Sequence, residues 1–444
     1  MNICLPCKSA LTLAILAAAP ASVLASSFQL LEQSPAHLGK AFAGTGSDIT
    51  DASAVYFNPA GMGQLDRPFV TLAGNLVMTE AEFNDTGSNT NGVLGGTKET
   101  GFIPNFYYVQ PLTDRWTMGL GVNGPFGLAS RYDEDWMGRY LATHSELEVA
   151  NVNLNFAFDV NERFAIGLGI NYQRADVTLE SQVDSTFGIS PNPATDSSAK
   201  IEGDDDDIVA DVSLFYQHSD STNLGLVWRQ GGEFNLKGEA EFGLNAAACA
   251  PGTGFPTGAP PAPTTGSICA ASLNTLTGDA GAYVELPDTL TLSVTHAFNN
   301  QWALHGDIAW TEWSSIQTID VMNTGNNATI SVLDLQYDDT MRYALGVTFK
   351  PAGAWTWRAG IAFDEAPQKN SRLVNPRIPD EDRTWLSLGF NYEFGNNMSV
   401  DVGYAHLWVD DASIHNIDTQ TGHTVHGNFD SKVDIVGLQA NWWF

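Results

Sequence analysis

Arginines and aspartates hold the most telling chemistry in this chain. Arg342 alternates with Met341, Tyr343, Leu345 and Val347, so on an extended strand it faces away from an apolar surface. Arg358, between Trp357 and Ala359, and Arg229, after Trp228, have the same parity. So do the carboxylates Asp211, Asp307, Asp364 and Asp401. Opposite charges on one enclosed face can brace it by pairing. A cation left partly unpaired in an apolar pocket could instead hold a ligand carboxylate, since desolvating an unpaired carboxylate is costly. Residue types alone leave both roles open.

A second feature is backbone chemistry. Met118, Leu120 and Val122 alternate with Gly119, Gly121 and Asn123 until Gly124-Pro125-Phe126-Gly127 interrupts. Proline lacks a ladder donor, and glycine on either side permits unusual backbone angles. Either Pro125 begins a loop, or the strand continues through a kink that lines a cavity. Beyond it, Trp136 and Tyr140 are four apart in a greasy segment and could share a helix face. They would serve to capture apolar molecules or simply pack on each other. No enzyme signature competes: there is no phosphate-binding loop, metalloprotease histidine pair or nucleophile elbow, and no cofactor or metal is expected.

The elements that position these residues are strands. Period-two alternation recurs at Phe164–Tyr172, Ile208–Tyr216, Leu290–Phe298 and Leu386–Phe394, placing one set of side chains on each face of a sheet. Fourteen candidate strands begin near residues 67, 100, 115, 145, 163, 207, 222, 284, 301, 335, 354, 383, 397 and 431. Their connections alternate between short (Pro111–Asp114, Asn161–Glu162, Ser219–Ser221) and long (Gly127–His144, Glu180–Asp206, Gly231–Tyr283). Short periplasmic turns and long external loops mark an outer-membrane barrel, and closure removes the sheet edges a bilayer does not tolerate. A soluble sandwich would alternate too, but would not need this rhythm of loops.

Composition agrees. With 20 Lys+Arg against 51 Asp+Glu, the net charge of -31 argues against nucleic acid as a partner. Past the N-terminus, no apolar run reaches the roughly 18–20 residues of a membrane helix. Lys8, the apolar stretch Leu11–Leu24 and the small residues after it read as a secretory signal cleaved near Ala25. Cys249 and Cys269, in an exported chain and without nearby histidines, are expected to form a disulfide rather than a metal site. Asp204–Asp207 could take a divalent cation, but such runs are usually solvated or bridged by ions to lipopolysaccharide phosphates. Outer-membrane lipid and lipopolysaccharide are thus the expected surroundings of the wall.

Residues 26–66 do not alternate, are rich in glycine, and precede the first strand. They suit a hatch that plugs the lumen, residues 67–444 forming the barrel. Ser27-Phe28-Gln29-Leu30, His37–Gly44, Asp51-Ala52-Ser53 and Phe57-Asn58-Pro59-Ala60-Gly61-Met62 resemble the FadL family of long-chain fatty acid transporters. The C-terminal half is similar as well, at Leu286-Pro287-Asp288, Trp357–Asp364 and Ile378–Arg383. The resemblance implies an all-β, fourteen-stranded antiparallel transmembrane barrel with an N-terminal lumenal hatch, monomeric and in the bacterial outer membrane. It implies a long-chain fatty acid or other hydrophobic small molecule as cargo, captured at external loops, bound near the hatch and released sideways through a kink in the third strand. By this pattern Phe28 contacts ligand, Asn58 lies beside the lateral gap at Gly124, Pro125, Phe126 and Gly127, and Arg174 binds ligand. Arg174 has lipid-facing parity, which conflicts with that role. A second basic residue of some relatives is replaced by Asp338-Asp339, which leaves uncharged hydrocarbons open as cargo.

Overall fold

The computed structural model describes residues 27–258, 262–395, 397–418 and 421–444. The expected signal segment lies outside them. The strand segments are β1 (Phe69–Asp85), β2 (Gly96–Pro111), β3 (Trp116–Arg131), β4 (His144–Asn161), β5 (Phe164–Val183) and β6 (Ser197–Ser219). There follow β7 (Thr222–Arg229), β8 (Glu233–Gly243), β9 (Gly278–Glu285), β10 (Thr289–Ala297), β11 (Trp302–Thr311), β12 (Thr318–Asn323) and β13 (Thr329–Asp334). The last are β14 (Thr340–Phe349), β15 (Trp355–Asp364), β16 (Arg383–Phe394), β17 (Met398–Val409), β18 (Ala412–Ile417) and β19 (Thr424–Trp443).

β1 to β7 pair in order, all antiparallel. The circuit continues through β10, β11, β14, β15, β16, β17 and β19. β19 then pairs with β1 from Phe69↔Trp443 to Asp85↔Gly427, closing a fourteen-stranded antiparallel barrel. Outward positions carry Leu168, Ile170, Leu292, Leu345, Ile361 and Leu388, all exposed, the lipid-facing apolar band. Trp116, Phe298, Trp302 and Trp355 are exposed near the short turns, and Tyr172, Tyr343 and Trp408 on the opposite side of the band.

β8, β9, β12, β13 and β18 carry five wall strands further outward. Four of these strands break at one height, because Arg229, Thr289, Thr311 and Thr340 form a single register row. The segments 231–283, 314–333 and 410–430, expected as loops, therefore contain strand. Gly231-Gly232 and Leu286-Pro287-Asp288 look like strand ends but are interruptions. Carboxylates carry the hydrogen bonding across them. Asp207 accepts from Glu233 N at 2.9 Å, Asp205 from Asn235 N at 2.7 Å and Asp288 from Gly231 N at 2.8 Å. The acidic run Asp204–Asp207 thus belongs to β6, where two of its members repair the ladder.

Residues 27–66 fill the lumen. Ser34 caps the short α1 (Pro35–Leu38), with Pro35 at its first position, where the missing N–H costs nothing. α2 (Ala54–Phe57) leads into a 3₁₀ turn, Pro59–Gln64. Leu30, Leu38, Phe42, Val55 and Met62 pack with the inward wall residues Tyr107, Trp385 and Ile435. Contact is close enough to require glycine: a Cβ on Gly39 would meet the Gly389 backbone at 2.9 Å. Gly44, at φ +74, turns the hatch so that its N–H and that of Thr45 reach Asp307 at 2.6 and 3.1 Å.

Candidate functional site: two cavities and an unpaired seam

Above the hatch, on the external side, lies an apolar cavity. Alternation turns Val177, Leu236, Val284 and Val321 into it. Ala175, Gly203 and Gly238 on the same faces leave the room. Its floor is Phe28, edge-on to buried Trp313 at 4.8 Å, which in turn meets Tyr337 at 5.9 Å. The charged residues around it, Glu146 and Glu202, are acidic. A fatty chain or a hydrocarbon fits this lining, but among the described residues that line it there is no cation to hold a carboxylate.

Phe28 belongs to an extended segment that partitions the lumen. Gly127 N donates to Phe28 O and Leu30 N to Pro125 O, both at 2.8 Å, so the hatch pairs with β3 at Gly124–Gly127. Gln33 Nε2 adds a bond to Gly124 O at 2.7 Å. At its start, Ser27 N donates to buried Asp380 at 2.7 Å, and Asp380 is held by Arg383. Gln29 and Leu31, on the other side of the segment, line a second, smaller cavity, reached by Arg229 and Arg342.

β3 does not end at Pro125 but runs on to Arg131, with a register shift against β4 between Asn123 and Phe126. Its ladder to β2 stops at Phe106↔Val122. Above that pair, residues 97–105 of β2 and 123–130 of β3 have no ladder pairs with each other among the described residues. The seam ends where Arg131 N reaches Thr97 Oγ1 at 3.0 Å. It begins level with Tyr172, in the outer aromatic row, since Val122 pairs with Val152 and Val152 with Tyr172. The break in the ladder thus lies next to Phe28 and Phe126.

Other sequence-derived candidates lie elsewhere. Asn58 is not beside the seam. Its Nδ2 donates to Gly46 O at 2.6 Å and Leu214 O at 3.1 Å, against β6, while its Oδ1 caps Ala60 N. An asparagine before proline is a helix cap by chemistry, and that is the work it does here. Arg174 is on the outer surface, as parity required, paired with Asp204 at 2.8 Å and with Asp176. It is not in either cavity. Trp136 and Tyr140 share no helix, because the intervening Gly138 lies in a run of turns. Trp136 is fully buried, stacked on Tyr132 at 4.4 Å, with its Nε1 on Ala142 O. Tyr140 bonds Asp196 at 2.9 Å and stacks on His423. Both hold the external cap together rather than offering a capture surface. Arg358 pairs with Asp401 at 2.5 Å in a polar recess at the periplasmic end, away from the apolar cavity. Cys249 and Cys269 are bonded, with Cα atoms 5.2 Å apart, Cys269 lying within α3 (Thr265–Leu276).

The external cap has its own electrostatics. Burial pushes the Asp196 carboxyl up, although Arg139 lies at 2.6 Å. Burial also pushes Asp184 up, but bonds from His423, Thr186 and Gly188 outweigh it and hold its pKa at about 2. Gln33, Leu30, Trp313, Tyr337 and Asp380 carry the site's geometry without having been expected to. Nothing in their spacing marks them, except that Leu30 and Asp380 lie in motifs already noted.

A closed barrel with a lumen-filling N-terminal segment and an apolar cavity beside an interrupted ladder defines the class: plugged outer-membrane β-barrels. Residues 16–444 match the family of outer membrane protein transport proteins described as OMPP1/FadL/TodX, and the chain belongs to it. It is therefore an outer-membrane transport protein and not an enzyme. The long-chain fatty acid transport protein of Escherichia coli K12 is 29% identical over 427 residues, covering 90% of this chain and 91% of that one. Outer membrane protein P1 of Haemophilus influenzae Rd is 29% identical over 422 residues, with 86% of each covered. A FadL homologue of Pseudomonas aeruginosa superposes with a TM-score of 0.81 at 24% identity, covering 94% and 99%. The toluene transporter TodX of Pseudomonas putida gives 0.71 at 18%, again covering 94% and 99%.

Proposed function

We propose that this protein takes up hydrophobic small molecules, with long-chain fatty acids as the leading cargo, by binding them above the hatch and releasing them sideways between β2 and β3. The supporting observation is the apolar cavity floored by Phe28, whose segment is paired to the same four residues of β3 that border the seam. A chain leaving through the seam stays out of water, a gain of about 0.8 kcal/mol per CH₂. Descent to the periplasmic end would pass the polar recess around Arg358 and forgo that gain. The acidic rim of the upper cavity favours a second reading, in which the cargo is an uncharged hydrocarbon.

Uptake of radiolabelled oleate and of toluene, in cells with and without the protein, separates the two cargoes. Uptake of neither, with the barrel correctly in the outer membrane, rules out the proposal. Planar-bilayer recordings separate it from a general porin. The intact protein is expected to conduct little, and removal of residues 26–66 to raise the current.

A further inference from the structure

We propose that the lower cavity is a second cargo site, selective for a carboxylate, in which Arg342 and Arg229 receive the acid end of the molecule. This rests on the uptake of hydrophobic cargo proposed above and adds to it a place where charge is read. The cavity is built as such a site should be. One side is apolar, with Leu31, Phe42 and Phe57 from the hatch, and can take a chain. The other presents the two guanidinium groups together with Asp307, Asp364 and threonine hydroxyls.

Each arginine is held in place without being used up. Arg342 is buried, donates from Nη2 to Ala41 O at 2.8 Å, and lies 5.3 Å from the centre of the Trp385 ring. Arg229 donates to Tyr56 O and lies 3.9 Å over the Tyr56 ring. The Nε of both has no hydrogen-bond partner among the described residues. A buried guanidinium N–H without an acceptor is costly, and a carboxylate supplies that acceptor. The carboxylates nearby do not remove the vacancy. Asp307 is committed to the hatch, accepting from Gly44 N, Thr45 N and Thr45 Oγ1. Asp364 stands opposite Arg342 and Asp211 opposite Arg229 in the wall ladders, each balancing its arginine's charge, yet both Nε groups stay open.

The two cavities share one thin wall. Phe28 faces the upper, Gln29 and Leu31 the lower. When that segment leaves β3, the upper cavity, the lower cavity and the seam become one space. An acid would then gain two charge-assisted partners below that a hydrocarbon would not, so the partition sorts cargo by head group.

The test is a crystal of the full-length mature protein soaked with 12-bromododecanoate or, separately, with 1-bromododecane, each located by bromine anomalous scattering. Acid density ending between Arg229 and Arg342, with the bromoalkane confined to the upper cavity, is the expected result. The acid in the upper cavity alone overturns the lower site and leaves hydrophobic uptake standing. Neither compound in either cavity overturns both. In solution, the Arg229→Gln/Arg342→Gln protein should bind the acid about tenfold or more weakly and the bromoalkane unchanged. Equal loss of both ligands, in protein that keeps its heat-resistant barrel, would also overturn the assignment.

Discussion

Gln33 Nε2 lies 2.7 Å from the carbonyl oxygen of Gly124 and 3.0 Å from that of Leu30, so one side chain of the hatch ties the plug to the irregular stretch of the wall. Gly124 has no ladder partner on β2 or β4, and Gln33 supplies a donor that a neighbouring strand would otherwise have given. Leu30 N and Gly127 N complete the patch with main-chain bonds. The hatch thus serves as the absent partner strand from inside.

Gln33→Leu should therefore loosen the partition without unfolding the barrel. It leaves the Gly124 carbonyl without its donor, at a local cost of about 1–3 kcal/mol. Hydrogen exchange at Phe28, Leu30 and Gly127 should quicken several-fold, while exchange in β14–β17 stays as it was. Unchanged protection at Phe28 and Leu30 would mean the segment is held by something other than this patch.

Replacing Gly124-Pro125 by Thr-Val should have the opposite effect on the wall. A regular β3 would restore donors and allow pairing with β2 above Phe106↔Val122. Uptake of labelled oleate should fall while heat stability and binding of cargo persist. Undiminished uptake in a folded variant would remove the lateral route and leave axial passage past a displaced hatch.

Much of this architecture was legible because alternation is a wall's only requirement. Fourteen strands and the inward parity of Arg229, Arg342 and Arg358 follow from period two. What was not legible depends on partners far away in sequence. Gly231-Gly232 and Leu286-Pro287-Asp288 resemble strand ends because nothing local reveals that Asp205, Asp207 and Asp288 bridge the break. Trp136 and Tyr140 have helical spacing, but Gly138 and the bonds to Ala142 and Asp196 make the segment a knot of turns. Asn58 was assigned by family resemblance, whereas its own chemistry, an asparagine before proline, already described a cap. Arg174 had the reverse history: parity placed it outside, and it is outside, paired with Asp176 and Asp204.

The external cap should be insensitive to acid until well below neutral pH. Asp184 accepts from Thr186 N at 2.8 Å and Gly188 N at 2.6 Å, and pairs with His423 at 3.1 Å. Its folded pKa of about 2 is below the ordinary 3.8, so its stabilisation is fully present above about 3.8 and is lost as pH falls through about 2. Limited proteolysis of the segments around residues 184–196 and 421–424 should give the same pattern at pH 7 and pH 5, and faster cleavage by an acid protease near pH 2. Asp184→Asn should cleave readily at every pH. Opening of the wild-type cap between pH 7 and pH 5 would assign control to another group.

Filling the upper cavity should block uptake whatever the cargo's charge. Ala175 is buried, lies on β5 with its side chain toward the cavity, and is among the small residues that leave the space open. Ala175→Trp places an indole where a cargo chain would lie, against Val177 and Leu236, and away from the two arginines, which line the other cavity. Overpacking should cost about 1–3 kcal/mol, small beside a wall held by continuous ladders. Oleate and toluene uptake should fall together, and bilayer conductance should stay low because the hatch is undisturbed. Loss of one cargo alone would mean that acids and hydrocarbons enter by different paths. Normal uptake of both would show that the cavity above Phe28 is not on the route.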